Sequence, residues 1–151
     1  MELDVFKKFL HKYLKGKGFE KIKNRYFLKG KNFLCMIYIF RSAYAPIYYF
    51  DYSFFLGEFE KPYILNETGD NETYTPYVGS RFYFTEKDKC CCNYFDYSEE
   101  ELKALLDKNF KERINPPFEE GKKYLLEHFD ELYSCTHIPK RRIMPLLESG
   151  E

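Results

Sequence analysis

The chain has 151 residues, of which 44% are hydrophobic and 21% aromatic, and its 24 basic residues balance its 24 acidic ones. This length suits one domain that buries a core without help from metals or disulfides. The hydrophobic content argues against a disordered chain. The formal net charge of zero argues against duplex nucleic acid and against a polybasic membrane-surface role.

The first residues and the cysteines predict a cytoplasmic protein. The chain starts with Met1-Glu2-Leu3-Asp4, which is acidic where a secretory signal is basic. The sequence lacks an apolar run of about 18 residues, which a membrane helix needs. Five cysteines, three of them contiguous at positions 90–92, make a poor disulfide framework and fit a reducing compartment. We therefore expect a cytoplasmic chain without membrane contact.

An amphipathic helix is predicted over residues 3–15, because apolar residues recur there at spacings of three and four. Gly16 and Gly18 end this helix. Strands follow, because aromatic and β-branched residues dominate and few good helix formers interrupt them. The predicted strands are residues 25–28, 33–40, 48–56 and 81–85, with a hairpin turn at 29–32.

The two middle strands differ in their patterns. Residues 33–40 are apolar on both faces, which predicts a central strand. Residues 48–56 alternate, and the face that carries Tyr49, Asp51 and Ser53 is the wetter one. A long polar segment at 57–79 leads to the last strand, and loops of this length are often functional or mobile.

The second half of the chain predicts two helices. Ser98 and Glu101 form a capping box at the start of the first, and Pro116-Pro117 ends it and opens the second. We expect one domain over residues 1–134 and a basic, proline-containing tail or packed extension at 135–151. The fold class is α+β, with an N-terminal helix, an antiparallel sheet of about four strands and two C-terminal helices packed on one face.

Several short motifs resemble a known family. They are the opening helix running into Lys17-Gly18-Phe19-Glu20-Lys21, then Asn24-Arg25-Tyr26-Phe27, Phe40-Arg41-Ser42, the aromatic strand at 48–56, and Ile114-Asn115-Pro116-Pro117. Over residues 3–132 this pattern resembles the bacterial family of domains of unknown function numbered 4304. The resemblance implies the fold. By analogy with small bacterial α+β domains of this kind, it also suggests an immunity-type or partner-binding role.

The residue types that bind metals or catalyse reactions do not form a recognised motif. His11, His128 and His137 lack a metal-binding spacing, and we expect them to be exposed. Contiguous cysteines at 90–92 do not easily converge on one zinc tetrahedron, even with Cys135 near the C-terminus. We therefore predict no catalytic residue, no cofactor and no metal, and we favour a protein that is not an enzyme.

Arg41 and Arg81 each lie at a strand end beside aromatic residues. An arginine in such a position must pair with an acid or lie at a rim, because burying an unpaired charge costs several kcal/mol. The favoured interpretation is a salt bridge to Asp51 or to acids of the 57–79 loop. The alternative is a forked receptor for an anion or a carboxylate.

The leading hypothesis is a non-enzymatic cytosolic domain that binds a protein partner through an open, tyrosine-rich sheet face. Its anchors would be Tyr49, Tyr52, Tyr83 and Arg81, because tyrosine and arginine carry interface hot spots. The alternative is a binding protein for a small anionic ligand, or a small enzyme, with a pocket lined by Arg41 and Arg81. A symmetric homodimer through an exposed edge strand also stays open.

Overall fold

The predicted antiparallel sheet is present, with one strand more than expected. The computed structural model describes residues 1–70, 72–133 and 136–149, and over these residues five strands follow the order of the chain. Every neighbouring pair is antiparallel. The strands are β1 (Glu20–Ile22), β2 (Arg25–Gly30), β3 (Phe33–Arg41), β4 (Tyr48–Leu56) and β5 (Tyr77–Arg81).

The last strand begins four residues earlier than predicted. β5 pairs with β4 from Phe55 opposite Tyr77 to Asp51 opposite Arg81. Gly79 hides this strand from a propensity rule, yet it is required there because a Cβ would collide with the Tyr52 carbonyl oxygen. The predicted strand at 81–85 leaves the sheet after Phe82, whose N–H donates to the Phe50 carbonyl at 2.9 Å.

Among the described residues, one α-helix precedes the strands in the chain and the other α-helices follow them. The helices are α1 (Leu3–Gly16), α2 (Glu99–Asn109), α3 (Asn115–Glu120), α4 (Lys122–Glu127), α5 (Phe129–Tyr133) and α6 (Lys140–Glu148), with a 3₁₀ turn at Tyr94–Asp96. The capping box of α2 is confirmed, because Glu101 N–H donates to Ser98 Oγ at 3.1 Å and Ser98 N–H donates to Glu101 Oε1 at 2.9 Å. The antiparallel sheet, with its helices before and after it in the chain, confirms the predicted α+β class.

The sequence predicted that Pro116 and Pro117 end one helix and open the next. This prediction is wrong, because the prolines do not separate two helices. A π-helical turn, Phe110–Ile114, joins α2 to α3, and the chain stays helical through both prolines. Pro116 lacks the N–H that would bond to the Glu112 carbonyl. The Tyr124 hydroxyl donates to this carbonyl at 3.2 Å instead. The helical path breaks at Gly121, whose φ of 77° is unfavourable for residues with a side chain.

The two faces of the sheet are covered by different layers. On one face, β3 and β4 side chains such as Phe33 and Phe50 pack against the helices in the main core. On the other face, a smaller buried cluster packs against apolar residues of the segment 57–76. Its members are Phe27, Leu34, Met36 and Phe55, with Phe59, Tyr63 and Leu65 against them. The sheet is thus sandwiched between a helical layer and a loop layer.

Ion pairs hold the loop layer to the sheet and to α6. They are Lys29–Glu60, Lys61–Glu20, Arg25–Glu67 and Arg141–Glu72. The α6 helix buries Ile143 and Leu147, which are 0% and 3% exposed. The predicted domain boundary at residues 134 and 135 lies outside the described residues.

The buried Asn109 side chain connects α2 to the backbone of Tyr83, just after β5, and this connection can be tested by substitution. Asn109 is 3% exposed, accepts from Tyr83 N–H at 2.9 Å and donates to Tyr83 O at 2.8 Å. Asn109→Leu should lower the free energy of unfolding by roughly 1–3 kcal/mol for each Tyr83 backbone group left unsatisfied. The measurement is urea unfolding, with the exposed Lys108→Ala as a control expected to stay within about 0.5 kcal/mol of wild type. Equal stability of the two variants would contradict a stabilising role for the hydrogen bonds between Asn109 and the Tyr83 backbone.

Candidate binding surface

Arg81 and Tyr49 lie together on the sheet face opposite the helices. The Arg81 guanidinium lies over the Tyr49 ring at 4.4 Å from its centroid and at 5.5 Å from that of Phe40. Arg81 Nε donates to Asp51 Oδ1 at 2.5 Å. For Arg81, the predicted salt bridge to Asp51 is therefore confirmed. The register explains it, because Asp51 and Arg81 are direct partners across β4 and β5.

The same row continues across the sheet to a second arginine. Arg25 is opposite Tyr38, and Tyr38 is opposite Asp51, so this row spans β2 to β5. The Arg25 guanidinium lies 4.9 Å from the Tyr38 ring centroid, and its Nη1 donates to Glu67 Oε1 at 2.6 Å. Each arginine therefore has an acid that fixes it and a ring that it covers.

Aromatic rings connect the two arginines. Tyr38 stacks on Phe40 with centroids 5.0 Å apart, and Phe40 contacts Tyr49 at 5.5 Å. We call Arg25, Tyr38, Phe40, Tyr49 and Arg81 the aromatic–arginine strip. Its members share one face because strand side chains alternate and the register brings odd and even positions into line.

The loop layer reaches the strip at Arg25, which pairs with Glu67, and leaves the rest of the strip partly exposed. Tyr38, Phe40 and Tyr49 are half-buried, and the Arg81 side chain is 42% exposed. The connection between β3 and β4 lies at the same end of the sheet and carries Tyr44, which is 98% exposed. The strip is therefore partly exposed, whereas the neighbouring cluster, against which Tyr38 packs, is buried.

The other predicted site residues lie elsewhere. Tyr52 is 3% exposed and packs against Phe82 in the main core, and this burial raises its pKa to about 12. Tyr83 follows β5, with its backbone clamped by Asn109. Desolvation and, after it, Glu86 raise the pKa of the Tyr83 phenol.

Arg41 and Arg81 lie on opposite faces of the sheet. Arg41 shares the parity of Phe33 along β3 and pairs with Tyr48, whose side chain belongs to the main core. Arg81 belongs to the strip on the other face. The two guanidiniums therefore do not converge on one pocket.

Three members of the strip were missed from the sequence: Arg25, Tyr38 and Phe40. Each residue alone fits a strand, and only the register shows that they join Tyr49 and Arg81. The Lys31-Asn32 turn is the signal that was available, because Gly30 pairs with Phe33 and this places Arg25 opposite Tyr38.

An open cavity of about 770 Å³ lies beside the strip, between the β1–β2 hairpin and residues 61–67. We call it the hairpin cavity. Its apolar lining is Ile22, Phe27, Pro62, Tyr63 and Leu65. Its polar lining includes Lys23, Arg25 and Lys61. The Arg25–Glu67 pair contributes to this cavity and to a smaller one of about 260 Å³ over the sheet.

The described histidines and cysteines do not converge on one site. Within residues 1–70, 72–133 and 136–149, His, Cys, Asp and Glu side chains do not gather in groups of three or more that could hold a metal ion. Cys92 is buried, which raises its pKa to about 12, and Cys135 lies outside the described residues. Over the same described ranges, none of the helices has the length and apolar character that a bilayer crossing needs.

The architecture defines a single-sheet α+β domain with helices on one face and an ion-paired loop layer on the other. A protein-family model described as Domain of unknown function (DUF4304) matches residues 10–120. The chain therefore belongs to this family, and the resemblance noted in the sequence is confirmed. Neither a curated protein nor a solved structure matches the chain. The matched residues include the whole strip.

Tyr49 and Tyr52 lie on opposite faces of β4, so they give a direct test of the face assignment. Tyr52→Ala should lower the free energy of unfolding by about 3–5 kcal/mol, because it removes a ring from the main core. Tyr49→Ala should cost about 1 kcal/mol, the range of strand propensities at a half-exposed position. Urea unfolding of both variants measures the difference. Similar losses would contradict the assignment of Tyr49 to the open face.

Proposed function

We propose that this domain is a non-enzymatic cytosolic binding module that recognises a protein partner through the aromatic–arginine strip. The observation that carries the proposal is the unbroken contact from Arg25 through Tyr38, Phe40 and Tyr49 to Arg81 on an open face. Tyrosine and arginine are the residue types that dominate binding energy at protein interfaces.

The strip is held in place before a partner arrives. Arg81 Nε donates to Asp51 Oδ1 at 2.5 Å, and Arg25 Nη1 donates to Glu67 Oε1 at 2.6 Å, so each acid holds its arginine in place. Ordering a flexible side chain at an interface costs about 0.5–1.5 kcal/mol, so arginines that are already fixed lose less on binding. The paired acids also neutralise the charges of the two arginines. We therefore expect stacking and desolvation to contribute more to the binding free energy than long-range electrostatic attraction.

The strip alone is too small for a stable interface. Four strands span about 14 Å, since neighbouring strands lie about 4.8 Å apart, whereas a stable interface buries about 800 Å² on each partner. The partner must also contact the flanks. Tyr44, 98% exposed in the β3–β4 connection, and the described residues of the segment 57–76 flank this face. An immunity-type role would use the same face, and analogy alone supports it.

Photo-cross-linking in the native cell tests the proposal. A benzoylphenylalanine at Phe40 should trap one partner, and a benzoylphenylalanine at the exposed Lys123 should not. With the purified partner, Arg81→Ala and Tyr49→Ala should each weaken binding by about 2 kcal/mol or more, roughly 30-fold. The outcome against the proposal is a trapped species whose affinity neither substitution changes. Trapping of a second copy of this chain would identify a homodimer instead.

The hairpin cavity supports a second candidate function, which is binding of a small anionic ligand. Its volume of about 770 Å³ lies within the 300–1,000 Å³ typical of ligand sites. Lys23, Arg25 and Lys61 line it beside apolar residues and Glu67. An anionic ligand would therefore meet Lys23 directly and would compete with the acids that pair with Arg25 and Lys61. The sequence placed such a ligand between Arg41 and Arg81. Because these residues lie on opposite faces, the ligand hypothesis now rests on the hairpin cavity.

A thermal-shift screen against aromatic and aliphatic carboxylates tests this candidate. A ligand at a hundred times its Kd adds about 2.7 kcal/mol to the stability of the protein, which raises Tm measurably. Leu65→Glu should remove the shift, because Leu65 lines the cavity. Ile64→Glu is the matched control, since Ile64 is the adjacent residue and is 83% exposed. A shift that Leu65→Glu leaves intact would place the ligand elsewhere.

A further inference from the structure

The α1 helix has a second apolar stripe beside its buried one, and the main core covers this second stripe only in part. Phe6, Leu10 and Leu14 are its buried residues. Val5, Phe9 and Tyr13 recur at a spacing of four on a neighbouring face. Val5 is 42% exposed, and the other two are half-buried. These three line an open groove of about 600 Å³ between α1 and α2.

The charges around this groove are unbalanced. Its lining includes the cations Lys8, Lys12, Lys17 and Lys103 and the acids Glu99 and Asp107. Asp107 is already engaged, because it accepts from the Tyr13 hydroxyl at 2.6 Å and from Lys103 at 2.8 Å. Within the described part of the chain, Lys8 and Lys12 make no ion pair.

We propose that the α1–α2 groove binds an acidic amphipathic helix of a protein partner. Apolar residues of that helix, spaced by three and four, would fill the groove over Val5, Phe9 and Tyr13. Its flanking carboxylates would pair with Lys8 and Lys12. This surface is separate from the aromatic–arginine strip, because α1 packs on the helical side of the sheet.

The shape and charge of the groove favour a helix over other occupants. Both walls are helices, whose backbone groups are already bonded, so an added β-strand has no edge to pair with. A flat bilayer does not reach the floor of a concave groove. Helices pack at 8–10 Å between axes with side chains filling grooves, which suits a third helix laid on this pair.

Fluorescence anisotropy with a designed probe tests the proposal. The probe is a labelled helical peptide of about 20 residues, long enough to fold alone, with leucines on one face and glutamates beside them. We expect saturable 1:1 binding that weakens at least tenfold in Lys8→Glu/Lys12→Glu. Val5→Glu, a change at an exposed position, should also abolish binding. The matched control is Lys7→Glu/Lys15→Glu, which makes the same charge change on α1 outside the groove and should bind as wild type.

Three results would overturn the proposal. One is a lack of saturable binding of the acidic peptide. Another is equal weakening in the groove variant and in Lys7→Glu/Lys15→Glu, which would show general attraction to a basic helix. The last is sedimentation of the wild-type protein with phosphatidylcholine–phosphatidylglycerol vesicles while the peptide does not bind, which would make the groove a membrane contact. A peptide with lysines in place of glutamates should not bind.

Discussion

The pairing of β3 with β4 is the constraint on which the rest of the structure depends. It runs from Phe33 opposite Leu56 to Arg41 opposite Tyr48 without interruption. A slip of one residue would move every side chain of one strand to the other face. This register places Phe50 and Tyr52 under the helices and leaves Tyr49 and Asp51 on the open face. Both the core and the candidate binding surface follow from it.

The two layers that cover the sheet are held by different forces. Helical side chains such as Phe6 and Leu102, each 0% exposed, bury apolar area on one face. The loop layer adds a smaller apolar cluster and ion pairs whose side chains remain partly exposed. Exposed ion pairs contribute about 0–1 kcal/mol each. The loop layer should therefore open at lower free energy than the helical layer, next to the strip that we propose as the binding surface.

The sequence predicts the elements whose patterns are local. The α1 stripe, the hairpin at 29–32, the alternation of 48–56 and the capping box at Ser98 each depend on neighbours within a few residues. Prediction from the sequence fails where contacts between distant residues determine the local structure. Gly79 looks like a turn residue, yet backbone contact with Tyr52 makes it part of β5. The prolines at 116 and 117 look like a break, yet a π-helical turn and the Tyr124 hydroxyl accommodate them.

For the candidate site, the sequence identifies the residue types and the two faces of residues 48–56, but not how the faces of different strands align. Alternation along β4 separates Tyr49 from Tyr52, which lies in the core. The register between strands places Arg81 on the face of Tyr49 and Arg41 on the opposite face. NOE measurement at the Tyr49 ring protons tests this most directly. The account predicts cross-peaks to Phe40 and to the Arg81 side chain. Cross-peaks from Tyr49 to Phe6 or Phe82 would place it in the main core and contradict the account.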